Sequence, residues 1–314
     1  VPLSPRAITT ENAAQVQLLG CPESVGWVFA FSPDGSLLAA SCGSDLCLHD
    51  ARTLAQVHHL ERDLADVDDR MLAAAFSPDG ALVALGTSSG MVWLWRVSDG
   101  AVERVLEAGE HDLWAVAFSA DGGALVASDG LPEVFVWRVA DGELLRSFQR
   151  EGPRNPRPPQ PTAVALSPDG ALLALKRRGE VRLWRTDDGS LLRVLQGEGI
   201  STGDVAFAGD GRFLLASVRA GTVIWERRES DLVLAHTVAS DSECCDALSP
   251  DGSLLVRFIS HRNVLLLRRV EDGARLHSLQ TAHGEGRGGL LLSPDGSLLA
   301  TSGGGVTCLW GLAP

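Results

Sequence analysis

One phrase recurs seven times along this chain: an apolar residue, a small residue, usually proline, then Asp-Gly and an apolar run. The copies occupy Phe31 to Gly35, Phe76 to Gly80, Phe118 to Gly122, Leu166 to Gly170, Phe207 to Gly211, Leu248 to Gly252 and Leu292 to Gly296. Their aspartates are spaced 45, 42, 48, 41, 41 and 44 residues apart. A period of that size implies one supersecondary unit per copy, each unable to bury its apolar faces without its neighbours.

Each unit reads as strands. A short apolar segment precedes the phrase, as at Val28 to Phe31 and Ala115 to Phe118, and another follows it, as at Ser36 to Ala40 and Ala171 to Leu175. Pro-Asp-Gly is a turn sequence: proline fixes φ, aspartate bonds its own backbone and glycine accepts positive φ. A third strand ends in tryptophan at Trp95, Trp137, Trp184, Trp225 and Trp310, and a second Asp-Gly turn at Gly100, Gly142, Gly189 or Gly273 leads to an outer strand such as Glu143 to Phe148. Four antiparallel strands repeated seven times predict an all-β, seven-bladed propeller.

These residues resemble the tryptophan-aspartate (WD) repeat family over almost the whole chain, from about Ala14 to Trp310. The departures are clear. The terminal Trp-Asp is Trp-Arg in three copies, Trp-Glu at Trp225, and His49 with Asp50 in the first; the Gly-His that opens a repeat survives only at Glu110-His111 and Ala282-His283. In the family that histidine, a strand hydroxyl, a turn aspartate and the tryptophan form a buried network; no blade here keeps all four at the usual spacing, the nearest being His111, Ser128, Asp129 and Trp137. Apolar packing between sheets is expected to carry more of the stability. The seventh unit stops at Trp310 with three strands, and the extra segment Ala14 to Leu19 completes it by the closure the family uses. The resulting reading is a single domain, 1–314, with 14–20 as the outer strand of the last blade and blades at about 21–60, 61–106, 107–149, 150–196, 197–236, 237–280 and 281–314.

Composition narrows the function classes. With 45% apolar and 21% charged residues the chain buries a large core. A net charge of -13 disfavours nucleic acid and anionic membranes as partners. No run of 18 apolar residues occurs, and no leader peptide is evident. Lysine occurs once, at Lys176, and the alanine, leucine and arginine bias fits a GC-rich bacterium. Cys21, Cys42, Cys47, Cys244, Cys245 and Cys308 show no Cys-x-x-Cys pair and no disulfide framework, so buried thiols in a reducing, cytoplasmic setting are expected. The Val1 start suggests a processed product or a domain excised from a longer chain.

Motifs for chemistry are weak. Gly86 to Gly90 matches the Gly-x-Ser-x-Gly nucleophile elbow, but joins two strands rather than a strand and a helix. Gly284 to Gly289 matches the dinucleotide pattern Gly-x-Gly-x-x-Gly without a surrounding βαβ unit. Glu61, Asp63, Asp66, Asp68 and Asp69 lack the alternate spacing and central glycine of a calcium loop. His58 and His59 have no thiol or carboxylate at metal-ligand spacing. No metal, cofactor or catalytic residue is expected; Asp204 and Asp246, near the channel, read as structural carboxylates.

The loops are more informative. On the face shared by the inter-blade loops and the loops between second and third strands, Asp66, Asp68, Asp69, Glu107, Glu110 and Asp112 are acidic. Arg154, Arg157, Lys176, Arg177, Arg178, Arg219, His261 and Arg262 form a basic arc. Such a rim could orient a partner of complementary charge, or be ordinary surface charge. Trp27 and Trp114 open the inner strands of blades one and three. Their strand parity with Phe29, Phe31, Val116 and Phe118 predicts burial; the alternative is a pair of aromatic anchors. The loop Gly152 to Pro161, with five prolines, is extended and accessible. The candidate partner-binding residues are therefore Trp27, Trp114, Asp68, Asp69, Arg177, Arg178, Arg219, His261 and Arg262.

The function expected is a non-catalytic scaffold or docking module for a protein or peptide, built on a monomeric ring. The alternatives are a sensor domain cut from a larger bacterial signalling protein and, behind it, a propeller enzyme with a site at the channel mouth.

Overall fold

The structure is a computed structural model that describes residues 6–21, 25–62, 69–109, 112–128, 134–148, 164–167, 171–177, 180–186, 190–196, 205–207, 211–218, 221–228, 231–239, 245–283 and 289–312. Among these residues, seven four-stranded antiparallel sheets succeed one another around a ring, which is the expected seven-bladed propeller. Blade one runs outward from the axis through Val28–Phe31, Leu37–Cys42, Asp45–Asp50 and Gln56–Leu60. Blade seven runs through Gly289–Leu292, Leu298–Gly303 and Val306–Leu312. The N-terminal strand Val16–Gly20 is its outermost member, antiparallel with Val16 opposite Leu312. The two ends of the chain thus close the ring within one sheet, as the strand count predicts.

The repeated phrase builds a self-contained cassette. In blade one the Ser32 hydroxyl donates to Asp34 Oδ1 at 2.6 Å, the Ser36 amide donates to the same oxygen at 3.0 Å, and the Leu37 amide donates to Ser32 Oγ at 2.9 Å. The serine hydroxyl first, then a backbone amide, hold the carboxyls of Asp34, Asp79 and Asp121 below the usual range, so the turns stay charged. The glycine does a second job. Gly80, at φ +71°, leaves room such that a Cβ would sit 3.8 Å from Pro33 of the preceding blade. Gly122 stands in the same relation to Pro78, and Gly35 to Pro294 across the closure. Pro-Asp-Gly therefore reverses the chain and seats one blade's turn on the next.

Apolar surface is buried between blades rather than within them. Among the described residues, clusters occupy the junctions of blades one with two, two with three, four with five, five with six, six with seven and seven with one. A second strand packs against a neighbour on each face, so Leu254–Ile259 is buried at every position and shows no alternation. Each fully buried leucine there contributes roughly 1.5–3 kcal/mol. The outer strands meet water instead. Each carries a bulge opposite the end of the third strand, as where Val136 pairs with Arg146 but Trp137 with Leu144. The same shift recurs in the other six blades. A bulge bends the exposed edge away from further strand addition.

Blade seven keeps three members of the network that the sequence resemblance implies. Trp310 Nε1 donates to Thr301 Oγ1 at 2.8 Å, and His283 Nε2 lies 2.8 Å from the same oxygen. Glycines fill 303–305, where the turn aspartate would stand. His49, in the tryptophan place of blade one, has Nδ1 3.1 Å from the Leu54 carbonyl. Burial pushes both imidazoles below the ordinary histidine range. The unfolded chain, with histidines near 6.5, then binds more protons than the folded one as pH falls. Stability is therefore expected to be full above that value and to decline from about pH 6.5 toward pH 5. Urea titrations across that range test this: His49→Gln with His283→Gln should flatten the decline, and an unchanged slope would refute the assignment.

The cysteine expectation is corrected. Cys21 is disulfide-bonded to Cys308, with Cα atoms 4.2 Å apart at a sequence separation of 287, and Cys42 to Cys47, with Cα atoms 5.9 Å apart. Cys21 and Cys308 meet only through the pairing that closes the ring, and Cys42 and Cys47 meet as diagonal neighbours across one hairpin. In the ring closure Gly20 faces Leu309, which carries Cys21 to Cys308.

Candidate protein-docking face

Antiparallel order puts the Pro-Asp-Gly turns on one face of the ring, and the inter-blade loops with the second-to-third-strand loops on the other. On this second face Trp27 immediately precedes the innermost strand of blade one. Its amide donates to Ser41 Oγ at 2.7 Å and its carbonyl accepts from the Ser41 amide at 2.8 Å, which fix the backbone. Its indole crosses to blade seven, where a Cβ on Gly289 would stand 3.6 Å from the ring, and it remains 37% exposed. Strand parity predicts burial for this side chain; the register of the strand shifts between Val28 and Ala30, so the alternation of Phe29 and Phe31 does not carry back to the indole. Trp114 is half-buried, as parity suggests, with its amide donating to the Ser128 carbonyl at 3.0 Å.

The charges divide differently from the sequence expectation. Asp69 is buried: Oδ2 accepts from Arg62 Nη1 at 3.1 Å and Oδ1 from the Ser89 amide at 2.9 Å. Arg62 also reaches the Ser44 carbonyl, so this pair braces the loops of blades one and two rather than presenting charge to a partner. Arg70 and Asp112 form the exposed pair nearby, at 3.6 Å. His261 and Arg262 are exposed on a 3-10 turn, Ser260–Arg262, at the same face of blade six. Arg177 ends the strand Leu172–Arg177 opposite Glu180. Asp68, Arg178 and Arg219 lie outside the described residues, as do Asp66, Glu110, Arg154, Arg157, Asp204 and the proline-rich loop.

Lys176 does not belong to the rim. It is 1% exposed and Nζ donates to the Ser217 carbonyl at 2.6 Å. Ser217 Oγ donates to Asp246 Oδ2 at 3.2 Å, and Thr222 Oγ1 donates to the same oxygen. Arg257 Nε donates to Asp246 Oδ1 at 2.8 Å and Nη2 to Oδ2 at 3.2 Å. These groups join blades four, five and six. Asp246, the one described member of the channel carboxylates named from sequence, has both oxygens engaged and is buried, where a partly solvated carboxylate is expected. An arginine inside an otherwise apolar strand, Leu254–Ile259, was the available sequence signal for this network.

One more grouping escapes linear reading. Cys42, Cys47 and His59 present ligand atoms within 4.8 Å of one another, although they lie on three different strands of blade one.

The chain matches no protein-family model, and no curated protein is found to be similar to it. Fold and face together define a seven-bladed β-propeller, held by inter-blade packing, with an exposed aromatic at the rim of its loop face. Among the described residues no helix is long and apolar enough to cross a membrane.

Proposed function

We propose that this propeller is a non-catalytic docking module that holds a protein or peptide partner on its loop face, with Trp27 as the apolar anchor. The observation that carries the reading is the 37% exposure of an indole whose backbone is fixed by Ser41 at the rim of the loop face. Tryptophan and arginine dominate interface energetics, and an exposed indole on a rigid backbone costs little entropy to bind. Trp114 and the exposed side chains of His261 and Arg262 extend the same surface, and Arg70 with Asp112 supply mixed charge. Nucleic acid and anionic membranes fit poorly with a net charge of -13.

We further assign the chain to the WD-repeat propellers. The sevenfold sequence phrase and the His283, Thr301 and Trp310 arrangement support that membership. We keep the cytoplasmic placement with its consequence: a reducing compartment would hold as thiols the cysteines that are paired in this structure.

The test is quantitative capture from a source lysate on immobilised propeller, with mass spectrometry. Trp27→Ala is expected to weaken retention of the specific partner about thirtyfold, the effect of losing a hot-spot side chain worth ~2 kcal/mol, with no change in thermal midpoint. Equal retention by the folded variant would remove Trp27 from the site. Loss with His261→Glu and Arg262→Glu alone would move the site to blade six.

A further inference from the structure

We propose that Cys42, Cys47 and His59 form a thiol-dependent binding site for a borderline-soft divalent cation, zinc by preference, which the Cys42–Cys47 disulfide closes. The proposal is independent of the docking reading, because it rests on the register of the second, third and fourth strands of blade one and not on the exposure of Trp27.

Register places the donors. Cys42 lies opposite Asp45 across the hairpin between the second and third strands, and Cys47 lies opposite Ala40 and His59 on its two neighbours. Paired residues project to the same side of a sheet, as do residues two apart along a strand. Cys42, Asp45, Cys47 and His59 therefore share one side of blade one, and the three ligand atoms of Cys42, Cys47 and His59 are mutually within 4.8 Å. Tetrahedral zinc with Zn–S near 2.3 Å and Zn–N near 2.0–2.1 Å needs its donors roughly 3.5–3.8 Å apart. Separation of the sulfurs on reduction, with a small approach of the imidazole, gives that spacing.

The surroundings are those of a supported ligand set. Asp45 Oδ1 accepts from the Arg62 amide at 3.3 Å, which anchors the carboxylate, and Oδ2 sits 3.1 Å from His59 Nε2. A carboxylate holding one ring nitrogen fixes the orientation of a metal-binding histidine and raises the basicity of the other. Cys47 is fully buried while the His59 side chain is 43% exposed, so the thiolates are shielded and an ion still has a path in. Two thiolates balance the charge of a divalent cation, and the fourth position is left to solvent. The competing view is a purely structural staple. Yet this disulfide spans five residues of a hairpin already held by its own strand ladder, and a staple gives no reason for a carboxylate-held histidine beside both sulfurs.

The chemistry balances in two steps. A dithiol reductant passes two electrons and two protons to the disulfide, leaving two thiols here and a disulfide on the reductant. The cation then displaces one proton from each thiol.

The chain, reduced with a phosphine and desalted under nitrogen, is titrated with Co2+ and then Zn2+. One Co2+ per chain is expected, with sulfur-to-cobalt charge-transfer absorption in the near ultraviolet and tetrahedral bands in the visible, both displaced by Zn2+. The oxidised chain is expected to show neither. Cys42→Ser with Cys47→Ser should abolish the charge-transfer band. His59→Ala, an exposed change that keeps both thiols, should weaken binding by at least about tenfold. A reduced chain with no thiolate band would overturn the site. So would a band that survives in the double serine variant, or a His59→Ala variant that binds as tightly as the unaltered chain.

Discussion

Cys21→Ser is expected to lower the free energy of unfolding by about 5–6 kcal/mol, the chain-entropy value of a cross-link that closes 287 residues. The same relation gives only about 2 kcal/mol for Cys42–Cys47, whose cysteines are five residues apart. The difference arises because a cross-link acts on the unfolded chain, and the longer the loop it closes, the more conformations it removes. Cys21 is the better site for the change, since Cys308 is fully buried and serine there would bury a hydroxyl. Urea denaturation with and without reductant checks the effect. On reduction the unaltered chain should lose this stability together with the smaller contribution of Cys42–Cys47, and the variant should lose only the latter, about 2 kcal/mol. Equal midpoints for variant and unaltered protein under oxidising conditions would mean that the cross-link does not hold the ring. Deletion of residues 1–20 is expected to do more harm. It removes the outer strand of blade seven, exposes the edge Val306–Leu312, and strips Ile8, Ala13 and Val16 from the cluster between blades six and seven. Aggregation together with the lost stability is the expected outcome, because closure of the ring is what hides that edge.

Asp246→Ala is expected to cost about 3–5 kcal/mol, since it leaves Arg257 charged, unexposed and without its bidentate partner. The loss should spread to Thr222 and Ser217, whose hydroxyls also bond the carboxylate, and so loosen blade five against blade six. Arg257→Met alone strands the carboxylate and should cost a comparable amount. The double change, Asp246→Ala with Arg257→Met, should be much less harmful than the sum of the two, because burying an ion pair gains little over apolar packing while breaking it leaves a bare charge. Chemical denaturation of the four proteins gives the coupling. Strict additivity would show that the two groups do not depend on one another and would discard the brace between blades.

Much of the fold is legible in the residues themselves. Ser-Pro-Asp-Gly carries its turn locally, because every bond of the cassette joins residues within five positions of one another. Trp137 and Trp310 end third strands and are buried as their pattern suggests. The face was harder. Trp27 shares linear parity with Phe29 and Phe31, yet the register shift between Val28 and Ala30 breaks that alternation. Asp69 and Lys176 read as surface charge because nothing in the linear sequence shows Arg62 folding back on one, or blade five covering the other. His59 has no ligand near it in sequence, but Cys47 is its cross-strand neighbour.

The sequence by itself determined the repeat, the turns, the number of blades and the closure by the N-terminal strand, since each rests on local backbone preference or on a period that any reader of the chain can count. The tertiary structure alone decided which sulfurs pair, which charges are buried, the bulge in each outer strand, and which aromatic reaches solvent. Those depend on register and on the approach of neighbouring sheets, where a shift of one residue turns a side chain from one side of a strand to the other.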